Sequence, residues 1–342
     1  MMRLLVTGGA GFIGSEFVRM TLATHADSSV VVLDKLTYAG NLANLAPVLH
    51  EPRLRFVHGD ICDAALVADL ARETDAIVNF AAETHVDRSL QAPGRFIQTD
   101  VYGTFVLMEA ARHAGHERYL QVSTDEVYGE VLMGFSAEAD ALRPRSPYSA
   151  SKAGAEMLVS AYRASYGFPA LVTRGSNTFG PYQYPEKIIP LFITNAIDDR
   201  PLPLYGSGEA VRDYVYVGDH ARAVDTVLRR GTPGEDYNVG CGNEVNGIRV
   251  AGEVLRALGK PESLIAFVQD RPGHDYRYAL DSSKLDALGW SPQMEFAAGI
   301  ATTVRWYCEH EDWWRPLKSG EFWEFYRRNY KPLPALAACR DF

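Results

Sequence analysis

Two patterns in the sequence bring together the residue types of proton-transfer chemistry. Tyr148 and Lys152 stand four residues apart behind Ser146-Pro147, a pair suited to the N-cap and first position of a helix. On a helix they share one face. An ammonium beside a phenol stabilises the phenolate and draws the tyrosine pKa down from its ordinary value of about 10. Such a phenolate takes the proton of a hydroxyl while a hydride leaves the same carbon. The second pattern is Thr124-Asp125-Glu126, a hydroxyl next to two adjacent carboxylates. Unlike environments would separate the two acids into a proton donor and a proton acceptor. Taken alone, the Tyr-Lys spacing decorates many helix surfaces, and an acidic pair is common in solvated turns. Their meaning depends on what lies upstream.

Upstream, Thr7-Gly8-Gly9-Ala10-Gly11-Phe12-Ile13-Gly14 follows an apolar run and opens a helical pattern. Glycines at 8, 11 and 14 permit a tight turn and a close approach of backbone to a pyrophosphate, which then sits at the helix N-terminus. Asp34 ends the next apolar run. A carboxylate there accepts from both ribose hydroxyls and repels a 2′-phosphate, so NAD is expected rather than NADP. Asp60-Ile61, after the third run, is placed to reach the adenine.

The elements that must position these groups alternate in type. Residues 3–7, 30–33, 54–57, 76–80, 119–122 and 170–173 are β-branched and nearly all apolar, as strands buried on both faces should be. Helical patterns separate most of them, which predicts a Rossmann-like α/β fold with a doubly wound parallel sheet. Ser123-Thr124-Asp125-Glu126 begins at the end of the fifth strand, on the side where open parallel sheets bind ligands. After Asn177 the texture changes, with Pro181, Pro185, Pro190, Pro201 and Pro203 close together. The expectation is an NAD-binding domain over 1–176 and a mainly substrate-binding, interleaved region over 177–342. Segments near 211–240 return to the first domain, with 237–240 as one more strand. Trp306, Trp313, Trp314, Trp323, Phe325 and Tyr326 read as helices packed on the second region.

Composition excludes several classes. The net charge is −9 with no basic run, which argues against nucleic acid as a partner. No apolar stretch is long enough to span a membrane. Residues 1–6 run into glycines too soon for a signal-peptide core. Cys62, Cys241, Cys308 and Cys339 are scattered, and no His or Cys cluster has ligand spacing, so no metal site and no disulfide framework is expected. These features fit a cytoplasmic protein acting on a small molecule.

In these stretches the chain resembles the extended short-chain dehydrogenase/reductase family and, more narrowly, the dTDP-glucose 4,6-dehydratases. The resemblance reaches to about Lys318. It rests on residues 7–14 and 34–41, on Ala81-Ala82-Glu83-Thr84-His85-Val86-Asp87-Arg88-Ser89, on residues 124–129 and 148–152, on Pro185-Glu186-Lys187-Ile188-Ile189-Pro190 and on residues 270–275. The Asp-Glu pair after Thr124 is its specific part. The resemblance implies that Tyr148, supported by Lys152, deprotonates the C4 hydroxyl of a nucleotide-linked hexose while NAD takes the C4 hydride. Thr124 would hydrogen-bond the reacting hydroxyl. Glu126 would then remove the C5 proton, Asp125 would protonate the departing C6 hydroxyl, and the hydride would return to C6. It further implies that Lys35, Leu36, Thr37, Gly40, Ala81, Ala82, Thr99 and Ser123 join the glycine turn in holding NAD. His85, Asn177, Glu186, Lys187, Tyr205, Arg212, Asn246, Arg271 and His274 would line the sugar nucleotide, the two arginines toward its diphosphate. A homodimer through the helix that carries Lys152 and the segment 104–111 is implied too.

The chain departs from the family pattern at Asp100, where Asn is usual, and at Thr178 and Phe179. Other chemistries on the same fold stay open: a UDP-sugar dehydratase, an epimerase, a decarboxylase or a simple dehydrogenase. Thr124-Asp125-Glu126 argues against epimerase and decarboxylase. A non-catalytic, NAD-sensing binding protein would not need the Tyr-Lys pair that this chain keeps.

Overall fold

The structure, a computed structural model, describes residues 2–270 and 273–331. Its strands are β1 (Met2–Thr7), β2 (Ser28–Asp34), β3 (Leu54–His58), β4 (Ala76–Asn79), β5 (Arg118–Thr124), β6 (Ala170–Gly175), β7 (Asn177–Phe179), β8 (Leu202–Tyr205), β9 (Val211–Tyr216), β10 (Asp236–Val239), β11 (Glu244–Asn246) and β12 (Ile265–Val268). Seven of them form one sheet in the order β10-β6-β5-β4-β1-β2-β3, with every neighbouring pair parallel. This is the doubly wound Rossmann-like sheet that the apolar runs predict.

Alternation along β1 shows why both faces must be covered. Leu4 and Val6 join a core with Val30 and Val32 of β2 and with Phe17 and Val224 of the helices Phe12–Thr24 and Val217–Arg230. Leu5 points to the other face and joins Leu33 of β2, Ile77 of β4, and Val67, Leu107 and Val159 of the helices Ala64–Arg72, Gly103–Ala114 and Pro147–Tyr166. Successive strand side chains point to opposite faces, so one strand feeds two cores.

Strand order reverses between β1 and β4. At that switch point the turn after β1 meets the turn after β4: a Cβ on Gly8, where φ is +68°, would sit 2.5 Å from the Ala81 nitrogen. Only glycine permits both the conformation and the contact.

The second layer consists of a small sheet ordered β11-β9-β7 and a parallel pair β12-β8. The helices Ile188–Ile197, Gly247–Leu258 and Phe296–Glu309 pack on it around Phe179, Phe192, Tyr214, Tyr307 and Trp314. The C-terminal aromatics therefore act as core. The chain crosses between layers: β9 lies in the small sheet, the helix Val217–Arg230 and β10 belong to the large one, and β11 returns. Among the described residues no helix is long and apolar enough to cross a membrane.

The helix Pro147–Tyr166 starts as its sequence signals. Ser146 caps it, Pro147 follows, and Ser146 and Ser149 exchange the two bonds of a capping box. Gly167, at φ 62°, ends it. This N-terminus sets the position of Tyr148. Ser146→Ala should lower stability by about 1 kcal/mol in urea unfolding; an unchanged midpoint would show that tertiary packing alone holds the helix start.

Candidate active site

One cleft runs along the carboxyl ends of β1, β4, β5 and β6 and continues against the small sheets. Its dinucleotide end is lined by Gly8, Gly11, Phe12, Ile13, Gly14, Asp34, Lys35, Thr37, Gly40, Asp60, Ile61, Ala81, Ala82, Thr99 and Ser123. Asp34 is buried, and both of its oxygens already work: Oδ2 accepts from Ala10 N at 2.9 Å and Oδ1 from Leu36 N at 2.8 Å. Each oxygen keeps a second lone pair for a ribose hydroxyl. Lys35 reaches back to Asp60 at 2.6 Å. Leu36 is not among the lining residues. It adopts φ +52° and packs its side chain on the core beneath, which leaves only its backbone near the cleft.

Thr124, Asp125, Glu126, Tyr148 and Lys152 line the middle of the same cleft. Thr124 ends β5 and caps the 3₁₀ turn Asp125–Tyr128, which turns the two acids out over the sheet edge. The acids differ as the sequence requires of an acid and a base. Asp125 is 3% exposed, and burial followed by the charge of Glu126 pushes its pKa well above the usual carboxylate range. Its Oδ2 has no hydrogen-bond partner among the described residues. Glu126 is only half-buried.

Tyr148 departs from the expectation of a lowered pKa. Burial first, then the charges of Glu126 and Asp100, hold the phenol well above 10, and the Thr124 hydroxyl opposes them only in part. The Lys152 ammonium donates to the Val122 carbonyl at 2.8 Å. Burial lowers its own pKa, while Asp100 and Glu156 raise it. Burial is the largest cause, and the nearby acids add to it.

The far end of the cleft is lined by His85, Asn177, Glu186, Lys187, Tyr205, Arg212 and His274. Glu186 is fully engaged: Arg88 grips it with Nη2 at 2.8 Å and Nε at 3.0 Å, while the Arg88 guanidinium lies 3.7 Å over the Tyr38 ring. Arg212 donates to the carbonyls of Val211 and Asp275 at 2.7 Å, and its charge reaches Asp125. Asn246 does not line the cleft, because its amide oxygen caps the helix Gly247–Leu258 through Arg249 N at 2.9 Å. Arg271 lies outside the described residues.

Several lining residues were not among the expected contacts. Asp87 accepts from the Tyr205 hydroxyl at 3.2 Å. His220 meets the Thr178 hydroxyl through Nδ1 at 2.7 Å, which gives the Thr178 departure a partner, while Phe179 fills the core of the second layer. Tyr330 enters the cleft from the tail beyond Gly320 and lies 5.3 Å from the Tyr205 ring. The helix Gly320–Asn329 brings it there by burying Phe322 and Phe325. Glu83, Thr84, Gln183 and Tyr184 complete the wall.

A Rossmann-type sheet with a glycine turn at its switch point, and a Tyr-Lys pair with acids beside it, defines the class of short-chain dehydrogenase/reductase folds. Comparison with known proteins narrows this. The family described as GDP-mannose 4,6 dehydratase matches residues 5–303. A dTDP-glucose 4,6-dehydratase of Streptomyces niveus is 49% identical over 94% of this chain and 97% of its own. A low-salt glycan biosynthesis protein, Agl12 of Haloferax volcanii, is 52% identical over 91% of this chain and all of its own. The crystal structure of DesIV, a dTDP-glucose 4,6-dehydratase from Streptomyces venezuelae with NAD and dTDP bound, superposes with a TM-score of 0.91 at 53% identity, covering 93% of this chain and 100% of that one. The chain belongs to the dTDP-glucose 4,6-dehydratase family.

The Arg88–Glu186 pair holds this end of the cleft together, with Glu186 2% exposed. Arg88→Met should strand a buried carboxylate and destabilise the fold by about 3–5 kcal/mol. Chemical denaturation checks this, and a loss under about 1 kcal/mol would mean that water or Lys187 takes over the charge.

Proposed function

We propose that this protein dehydrates dTDP-glucose to its 4-keto-6-deoxy form with NAD as a resident cofactor. The observation that carries the reading is the convergence of Tyr148, Thr124, Asp125 and Glu126 on one cleft that begins at the Gly8 turn. The residues present fit NAD: the helix Phe12–Thr24 points its N-terminus into the cleft, Gly8 and Ala81 are too close for any side chain between them, and a carboxylate stands at Asp34. Both related proteins named as dTDP-glucose 4,6-dehydratases support the base and the hexose.

When bound at the Gly8 turn and Asp34, NAD would supply the hydride acceptor for C4 and the hydride donor for C6. The chain supplies the proton steps. Tyr148 removes the C4 hydroxyl proton, with Thr124 on the same oxygen and Lys152 as the nearby cation. The resulting C4 ketone acidifies the C5 hydrogen, which Glu126 accepts. Asp125, kept protonated by burial, donates to the C6 hydroxyl, which leaves as water, and a proton is delivered to C5 as hydride returns to C6. The two acids are coupled. The charge of Glu126 is the second cause of the raised Asp125 pKa, so protonating Glu126 makes Asp125 a stronger acid at the moment it must donate.

Redox is neutral overall, so turnover requires no exchange of the cofactor. On the substrate side, Asn177, Lys187 and Arg212 offer donors, and Tyr205, His274 and Tyr330 form an aromatic wall for the nucleotide. We also infer a homodimer. Ile97, Tyr102 and Phe105, together with Met157 and Tyr166 on the helix Pro147–Tyr166, are exposed large apolar side chains on adjacent elements. The three cysteines described, Cys62, Cys241 and Cys308, are unpaired, which suits action in the cytoplasm.

Tyr148→Phe should lower kcat by about 10²- to 10⁴-fold while bound NAD is retained; a near-normal rate would contradict the assignment. Glu126→Gln should permit C4 oxidation and block elimination, so reduced-nicotinamide absorbance accumulates on adding dTDP-glucose. Absence of that absorbance, with NAD still bound, would count against the division of labour. Phe105→Glu combined with Met157→Glu should halve the sedimenting mass, and a wild type that sediments as a monomer would exclude the dimer.

A further inference from the structure

Lys152 is 5% exposed, and its ammonium has a single described hydrogen-bond partner, the carbonyl of Val122. A cation this desolvated needs a negative charge near it. Two buried carboxylates act on it, Asp100 and Glu156. Glu156 is already gripped by Arg174, at 2.9 Å through Nε and 2.8 Å through Nη2. Arg174 in turn is shared with Asp236 at 2.7 Å. Asp100 is 2% exposed and is held only by neutral donors: the Ser151 hydroxyl at 2.6 Å and the Glu83 backbone N–H at 2.8 Å. No cation bonds it among the described residues.

Asp100 sits in the π-helical turn Ile97–Tyr102, which packs on the helix that carries Ser151 and Lys152. Its neighbours from the packed elements are Lys152 and Ser151 on that helix and Glu83 after β4, and its own charge reaches Tyr148. Burial pushes the Asp100 carboxyl up to about 6, and Lys152 and Ser151 oppose that rise.

We propose that Asp100 is the counter-charge of Lys152, a positioning residue that sets the protonation of the Tyr148–Lys152 pair from beneath it. This rests on the dehydratase reading only for its kinetic readout. Removing a negative charge lowers the pKa of every ionisable neighbour, of phenol and ammonium alike. The expected signature is therefore a displaced pH profile rather than a mere loss of rate.

The kinetic test is the pH dependence of kcat/KM for dTDP-glucose in wild type and Asp100→Asn. Both limbs of the variant profile should move to lower pH by about one unit, with bound NAD unchanged. Ser151→Ala removes the strongest bond to the charged form and should shift the profile the same way by less. The second test needs no substrate: the difference in unfolding temperature between Asp100→Asn and wild type, followed against pH. The folded pKa of Asp100 is raised above its unfolded value of 3.8. Its ionised form therefore destabilises the fold, fully so above about 6 and not at all below 3.8. The variant should gain on wild type as pH rises through that window and hold its advantage above it. In a Lys152→Met background Asp100 loses its cation, so the window should extend to higher pH. A variant pH profile that coincides with wild type overturns the proposal, and so does a stability window that Lys152→Met leaves in place. Failure of the wild type to turn over dTDP-glucose would sink the dehydratase reading while the thermal test still decides this one.

Discussion

A buried ammonium organises this molecule. Lys152 has given up nearly all its water for one carbonyl, and the residues around it are arranged to make that tolerable. The Val122 carbonyl lies near the carboxyl end of β5, one residue past the last position at which β5 pairs with β4. Asp100 supplies charge from below through a π-helical turn that packs on the same helix. In a low-dielectric crevice each such charge raises or lowers its neighbours strongly, so Tyr148, Asp100, Asp125 and Lys152 are best regarded as one titrating system.

A second buried network secures the platform on which that system stands. Arg174, on β6, ties Glu156 of the helix Pro147–Tyr166 to Asp236 of β10 and to the Tyr128 hydroxyl at 2.7 Å. Arg163 meets the other oxygen of Asp236 at 2.6 Å. The turn with the two acids, the helix with the phenol and the last sheet strand are thereby fixed to one guanidinium. In the second layer Asp213 does comparable work, accepting from the N–H groups of Cys241, Gly242 and Asn243 where the chain leaves β10 for the small sheet. These groups touch no proposed reactant, yet they set where the reactants are held.

Much of this was legible in the residues. The strands over 3–7, 30–33 and 119–122 all exist, each observed one or two residues longer at one or both ends, because a doubly covered parallel strand must be apolar on both faces and little else in a chain looks like that. The helix start at Ser146-Pro147 and the glycine turn were legible for a similar reason: each needs particular residue types at fixed offsets. Leu36 and Asn246 were placed in the cleft by resemblance, but a backbone position at φ +52° and a helix cap claim their side chains. His220 and Tyr330 went unread, since each reaches the cleft from an element that no local pattern connects to it, while Asp87 lies in the stretch 81–89 that carries the resemblance but was given no role there.

The sequence by itself determined the sheet, the dinucleotide turn, the capped helix with Tyr148 and Lys152 on one face, and the adjacent acids after β5, because all of these are dictated by short-range periodicity and backbone sterics. Only the tertiary structure decided which acid is buried and which is half-exposed, that the phenol is held above rather than below its ordinary pKa, that Glu186 is taken by Arg88, and that the tail closes one wall. Those outcomes depend on desolvation and on charges brought together from distant positions. Neither has any counterpart along the chain until it is folded.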